Sequence, residues 1–217
     1  MHPTTPFSPL HVQAIDLCFA YPGTPERALV TALSAQLLPG VTLVSGGDGR
    51  GKTTLLRLLA GELQPTAGRV HYLGAAFENS ARASSVFWAD PRSDSLDALT
   101  VSDYLAEQRR KFSGHATFSD GVLAEMVGGL GLGGHLHKPF FMLSTGSRRK
   151  VFLAAALASG AALTLLDEPF AALDARSIRC VLGALRQAAA DTARMCVIAD
   201  YAAPDGVPLS GVIDLGD

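Results

Sequence analysis

The sequence predicts an α/β fold. A mostly parallel sheet forms its centre, with an N-terminal antiparallel β subdomain and a small helical subdomain inserted at roughly residues 92–146. Three observations predict it. Val41-Thr42-Leu43-Val44, a short β-branched and apolar run, is followed by a glycine-rich stretch and then by Thr54–Ala60, which is rich in helix formers. In the second half, helical segments alternate with continuous apolar runs of strand length, the pattern of strands buried on both faces. Ahead of Val41, two strand-like segments with short turns suggest an antiparallel sheet beside the parallel core.

The elements follow in order. Residues 1–9 are proline-rich and read as loose. Leu10–Phe19 alternates in part and reads as a strand; residues 20–25 form a turn, and Ala28–Leu38 reads as a second strand. Pro39-Gly40 turns the chain into Val41–Val44. Gly61 is placed to end the helix that begins at Thr54. After a turn at residues 64–68, Arg69–Leu73 and Ser84–Trp88 are strand candidates, and residues 89–97 are polar and turn-rich. Thr100-Val101-Ser102-Asp103 reads as a helix start that continues to Lys111, and a second helix is expected from Ser119 to Leu130, broken by the glycines that follow. Arg148–Ala158 is helical, Ala162–Leu166 a buried strand, Asp174–Ala190 an alanine-rich helix and Met195–Ala199 another buried strand. Val207–Leu215 is expected to close the chain as a hairpin.

Composition narrows the function classes. Hydrophobic residues make up 48% of the 217, enough for a sizeable core. The net charge of −2, with Lys and Arg spread along the chain, lacks the basic footprint of a nucleic-acid binder. Cys18, Cys180 and Cys196 are widely spaced in apolar stretches and form neither a metal pattern nor a disulfide framework. The first residues show no basic start followed by an apolar run, and the longest apolar stretch, Val151–Leu166, falls short of the roughly 20 residues that span a bilayer. A soluble, cytosolic protein is expected, one that can work at a membrane through a partner.

Gly46-Gly47-Asp48-Gly49-Arg50-Gly51-Lys52-Thr53 matches the P-loop pattern G-x-x-x-x-G-K-[ST] in full, between strand and helix as a P-loop requires. A polyphosphate must be held by many donors at once. Glycines let backbone N–H groups turn inward, and the helix N-terminus that opens toward Thr54 adds unpaired donors and a positive partial charge. Lys52 reaches the β- and γ-phosphates in this pattern, and the Thr53 hydroxyl ligates Mg²⁺. This is a P-loop NTPase core. Downstream, Leu163-Thr164-Leu165-Leu166-Asp167-Glu168-Pro169 ends a buried strand in two acids. Asp167 is placed to hold Mg²⁺ through water, and Glu168 to orient or deprotonate the attacking water. Leu143-Ser144-Thr145-Gly146-Ser147 precedes a helix; it reads either as an ordinary N-cap or as a second anion site.

Together these residues resemble the nucleotide-binding ATPase subunits of the ATP-binding cassette (ABC) transporters, over nearly the whole chain. Residues 165–174 are close to the family's strand end and dimer-contacting loop, and Ser144-Thr145-Gly146 stands at its signature. The resemblance implies that Tyr21 stacks on adenine. It also implies that two such subunits, as a homodimer or a heterodimer with another ABC subunit, close head to tail on ATP. Each ATP then lies between one P-loop and the other subunit's Ser144 and Gly146, and closure drives transmembrane permease subunits at the inner face of the cell membrane. Three positions depart from the family. Asp90 stands where a Mg²⁺-sensing glutamine is usual, Thr145 replaces a signature glycine, and Asp200 or Tyr201 stands where a histidine meets the γ-phosphate. Intact nucleotide binding with slow or partner-dependent hydrolysis is expected. The alternative is a degenerate cassette acting as a nucleotide-dependent binding module on a partner protein.

Overall fold

In the computed structural model, residues 10–23, 28–74, 85–90, 92–113 and 118–216 are described. The expected loose N-terminus, Thr24-Pro25 of the first turn and Ser84 at the start of a strand candidate lie outside them. Eight strands and five α-helices are found among the described residues, joined in places by single turns of 3₁₀ helix. The strands are β1 (His11–Phe19), β2 (Val30–Leu37), β3 (Gly40–Ser45), β4 (Ala67–Leu73), β5 (Val86–Phe87), β6 (Leu163–Asp167), β7 (Met195–Ala199) and β8 (Gly211–Asp214). The helices are α1 (Lys52–Ala60), α2 (Val101–Phe112), α3 (Asp120–Gly129), α4 (Thr145–Ala158) and α5 (Ala175–Ala189).

The central sheet has the order β5-β6-β7-β3-β8, with every pairing parallel. Because side chains alternate along a strand, the sheet divides the core in two. Val41, Leu166, Cys196 and Ile198 face helices α2 to α5, whereas Val44, Leu163, Leu165, Val197 and Ala199 face α1 and the second sheet. The continuous apolar runs of β6 and β7 are buried along their whole length, as strands covered on both faces must be. The second sheet, β2-β1-β4, is antiparallel.

One expectation is corrected. Val207–Leu215 does not form a hairpin. Its strand portion, β8, runs parallel to β3, with Thr42 opposite Gly211 and Ser45 opposite Asp214. The alternation of a lone edge strand resembles that of a hairpin arm, and its actual partner lies far away in the sequence. The Ser84–Trp88 candidate shrinks to the two-residue β5 at the sheet edge.

Among the described residues of 92–142, the regular elements are helical, and one isolated bridge joins Thr100 to Pro139. Their core is aromatic: Tyr104 meets Phe140 and Phe152 edge-on at 5.3 and 5.4 Å, all three buried. Arg148, in the first turn of α4, ties the segment after β5 to that helix. It donates to Asp97 Oδ1 at 2.7 Å and to the Ser93 carbonyl. No helix among the described residues is long and apolar enough to cross a membrane.

Candidate functional site

In open parallel sheets, ligands bind beyond the carboxyl ends of the strands. Here β3 ends in the glycine-rich loop, β6 ends at Asp167, and β7, which lies between them, ends at Ala199 and delivers Asp200 just beyond it. Sheet order therefore brings three distant segments of the chain to one edge.

The loop folds as its glycines permit. Gly51 has φ +93°, a left-handed value, and a Cβ built there would lie 2.9 Å from the Leu29 carbonyl oxygen. A side chain is excluded on both counts. Gly51 also stands at the N-cap of α1 with no side-chain cap, and the first turn carries no acid. The helix thus presents backbone donors and a positive partial charge with no acid in its own first turn. Lys52 is buried and folds back along the loop, donating to the carbonyls of Gly46 at 2.6 Å and Gly47 at 2.9 Å. Asp48, Gly49 and Arg50 form the exposed tip of the loop.

Thr53 and Asp167, 114 residues apart, meet directly: the Thr53 hydroxyl donates to Asp167 Oδ2 at 2.8 Å. The other carboxylate oxygen, Asp167 Oδ1, is buried and has no hydrogen-bond partner among the described residues. A buried carboxylate oxygen without a donor is costly, and a hard cation taking oxygen ligands satisfies it. The donor set of hydroxyl and carboxylate thus fits Mg²⁺. Burial raises the Asp167 carboxyl above its ordinary value, and the Glu168 and Asp90 charges add to this. The Thr53 hydrogen bond and the Arg92 charge oppose it.

Glu168 follows with φ +46°, an uncommon conformation for a side chain of its size. Two arginines approach its Oε2: Arg92 at 3.5 Å from the exposed side, and Arg149 at 4.0 Å from the buried side. Arg92 also lies 3.9 Å from Asp167 Oδ2. Asp90 accepts from the Arg92 backbone N–H at 2.9 Å, so it shapes the turn that delivers Arg92. At the end of β7, Asp200 accepts from the Tyr201 N–H at 2.7 Å. Its carboxyl is raised by burial and by Glu168, with Lys52 and Arg149 opposing. The Tyr201 ring covers Lys52, its centroid 4.3 Å from Nζ, and its hydroxyl donates to Asp48 in the loop.

Of the other residues expected here, Tyr21 packs edge-on against Phe19 and places its hydroxyl 3.4 Å from Thr54 Oγ1, accepting from Arg57 at 3.2 Å. Ser144 is the N-cap of α4. Its Oγ accepts from the Ser147 N–H at 3.1 Å, and the helix accordingly starts at Thr145, ahead of the expected Arg148. Ser144 and Thr145 are exposed, and among the described residues no hydrogen bond or ion pair joins them to their own glycine-rich loop. The structure therefore gathers Lys52, Thr53, Asp167, Glu168, Asp90 and Asp200 and leaves Ser144 apart from them. Gly146 packs instead on the loop after β6, where an added Cβ would lie 2.5 Å from the Ala172 carbonyl oxygen.

Sequence reasoning missed Arg92, Arg149 and the lid-like placement of Tyr201. For Arg149 a signal existed: it shares a helix face with Phe152, Leu153 and Ala156, at helical spacings of three, four and seven, and all of these are buried. An arginine on a buried face demands a partner. Arg92 lay in a polar turn and carried no such mark.

Comparison with known proteins identifies the family. The family model described as ABC transporter matches residues 31–171. The chain is 38% identical over 155 residues to the cytochrome c biogenesis ATP-binding export protein CcmA of Pseudomonas savastanoi, covering 70% of this chain and 71% of that protein. It is 34% identical over 164 residues to the taurine import ATP-binding protein TauB of Pseudomonas fluorescens, covering 71% and 58%. A solved structure of a putative ABC transporter ATP-binding protein from Pyrococcus furiosus superposes with a TM-score of 0.71 at 20% identity. That match covers 94% of this chain and 97% of the other, and is a likeness of fold. The chain belongs to the ABC transporter family, as one of its ATP-binding subunits.

Proposed function

We propose that the chain binds and hydrolyses ATP as a single nucleotide-binding domain whose residues 92–146 form a helical subdomain. In this reading it closes head to tail on ATP, with a second copy or another ABC subunit, and so drives separate transmembrane permease subunits from the inner face of the membrane. One observation carries the proposal: the Thr53–Asp167 hydrogen bond at 2.8 Å beside the orphaned Asp167 Oδ1, at the mouth of an uncapped helix. Residues 46–54 cradle the phosphates, and Lys52 leaves the Gly46 and Gly47 carbonyls to meet them. Tyr21 supports the base. Thr53 and Asp167 hold Mg²⁺, with Asp90 at the margin of that site; the ion supplies charge neutralisation to the phosphates. Glu168 takes the proton of the attacking water, and the exposed Ser144, with the half-buried Gly146 beside it, faces the nucleotide of the opposing subunit. The relatives include an export and an import protein, so the proposal is of ATP-driven transport without an assigned direction.

Hydrolysis is slow or partner-dependent in this reading. Asp200, whose charge interacts with those of Glu168 and Lys52, brings a further carboxyl to the place where phosphate charge accumulates. A phosphate-release assay on the purified chain, with and without its co-expressed permease, tests the proposal. The parent turns over slowly alone and faster with the permease, and Glu168→Gln lowers both rates by about 10²–10⁴-fold, leaving a measurable residue. Turnover unaffected by Glu168→Gln contradicts it.

A further inference from the structure

We propose that Arg149 is a positioning residue for Glu168, holding that carboxylate and its loop in the orientation that hydrolysis requires. This rests on the reading above that Glu168 acts on the attacking water. Three observations converge on it.

The first is the arginine itself. Arg149 is 7% exposed and sits in the second turn of α4. One terminal nitrogen donates to the Ala171 carbonyl at 2.7 Å, and the other lies 4.0 Å from Glu168 Oε2. The third nitrogen, Nε, is buried and has no hydrogen-bond partner among the described residues. Burying a guanidinium with a donor left unmatched is a poor route to stability, since an apolar side chain would pack there at less cost. Its orientation is accounted for by what the other two nitrogens reach.

The second is the loop that Arg149 holds. Glu168 at φ +46° and Ala172 at φ +59° are two left-handed non-glycine residues within five positions. Such residues are strained and persist where their surroundings over-determine them. Here the Glu168 N–H is fixed to the Ala199 carbonyl at 2.9 Å, Arg149 holds the Ala171 carbonyl, and Gly146 of the preceding helical turn abuts the Ala172 carbonyl. Arg149 and Gly146 thus grip consecutive peptide units from one face of α4.

The third is the side-chain geometry of Glu168. Both of its ion pairs, to Arg149 and Arg92, involve the same oxygen, Oε2. Among the described residues no ion pair engages Oε1, which this arrangement leaves to accept a proton. Arg149 approaches Oε2 at 4.0 Å from the buried side and Arg92 at 3.5 Å from the exposed side, and of the two only Arg149 is itself held by a backbone carbonyl of the Glu168 loop.

The test is a double-mutant cycle on the full chain, read by single-turnover ATP hydrolysis and by equilibrium binding of a fluorescent ATP analogue. The variants are Arg149→Met, Arg149→Lys, Glu168→Gln and each Arg149 change combined with Glu168→Gln. Arg149→Met is expected to lower the hydrolysis rate at least tenfold while ATP affinity stays within threefold. Arg149→Lys, which keeps the charge but cannot reach both partners, falls between Arg149→Met and the parent. In the Glu168→Gln background neither change lowers the rate further by more than about twofold, because the group they act through is gone. An equal rate loss in both backgrounds, or ATP affinity falling in step with rate, overturns the proposal in favour of a purely structural role. If Arg149→Met does not fold, the lysine variant carries the cycle. Should Glu168→Gln itself leave the rate unchanged, it is the assignment of Glu168 that fails, a result separable from any behaviour of Arg149.

Discussion

Gly51→Ala places one methyl group where backbone and neighbour both oppose it. At φ +93° an L-residue costs about 1–2 kcal/mol relative to glycine. The new Cβ would stand 2.9 Å from the Leu29 carbonyl oxygen and 3.3 Å from the Leu29 side chain, so the start of β2 must move. Overpacking of that kind costs about 1–3 kcal/mol. The reduced freedom of the unfolded chain returns about 0.4–1 kcal/mol. A net loss of about 1–5 kcal/mol follows, and in a chain of this length that lowers Tm by about 2–18 °C. The same substitution at Gly183, in the middle of α5, meets nothing within 4 Å and should stabilise by about 0.5–1 kcal/mol. Thermal unfolding monitored by circular dichroism compares the two directly, and ATP titration then asks whether the displaced loop still binds. A Gly51→Ala protein with unchanged Tm and unchanged ATP affinity would refute the claim that this glycine is required by both conformation and contact.

Other outcomes are expected. Phe140→Ala removes a fully buried ring that touches Tyr104 and Phe152, and should cost about 3–5 kcal/mol in chemical denaturation while the P-loop residues remain untouched. Burial pushes the Cys196 thiol up to about 12, so at pH 8 it stays neutral in the native state. A thiol-specific reagent should then label at most Cys18 and Cys180 before denaturant is added, and all three cysteines afterwards. The raised value also means that the neutral thiol's contribution to stability is fully present below the ordinary cysteine pKa and is lost as pH rises from there toward 12. Rapid native labelling of Cys196 would show that β7 opens readily.

Much of the site was legible because its chemistry is carried by contiguous residues. Residues 46–53 fix a loop by their own backbone freedom, and the Leu163–Glu168 run marks a buried strand ending in acids. What joins the two could not be read. Thr53 meets Asp167 only because β7 inserts between β3 and β6 and brings Asp200 along with it. The same physics explains the lost hairpin: β8 looks like half of a local pair, yet its partner β3 precedes it by 169 residues. Ser144 was legible as a cap, because capping is local. The contact of Gly146 with Ala172 was not, since nothing in either segment announces the other.

Equilibrium binding of Mg-ATP to the purified chain and to Lys52→Ala, measured by isothermal titration, tests the central claim most directly. The parent binds one nucleotide per chain. The variant, deprived of a charged donor to the phosphates, binds at least about tenfold more weakly. Equal affinity of the two proteins for Mg-ATP would contradict the assignment of this loop as the phosphate cradle.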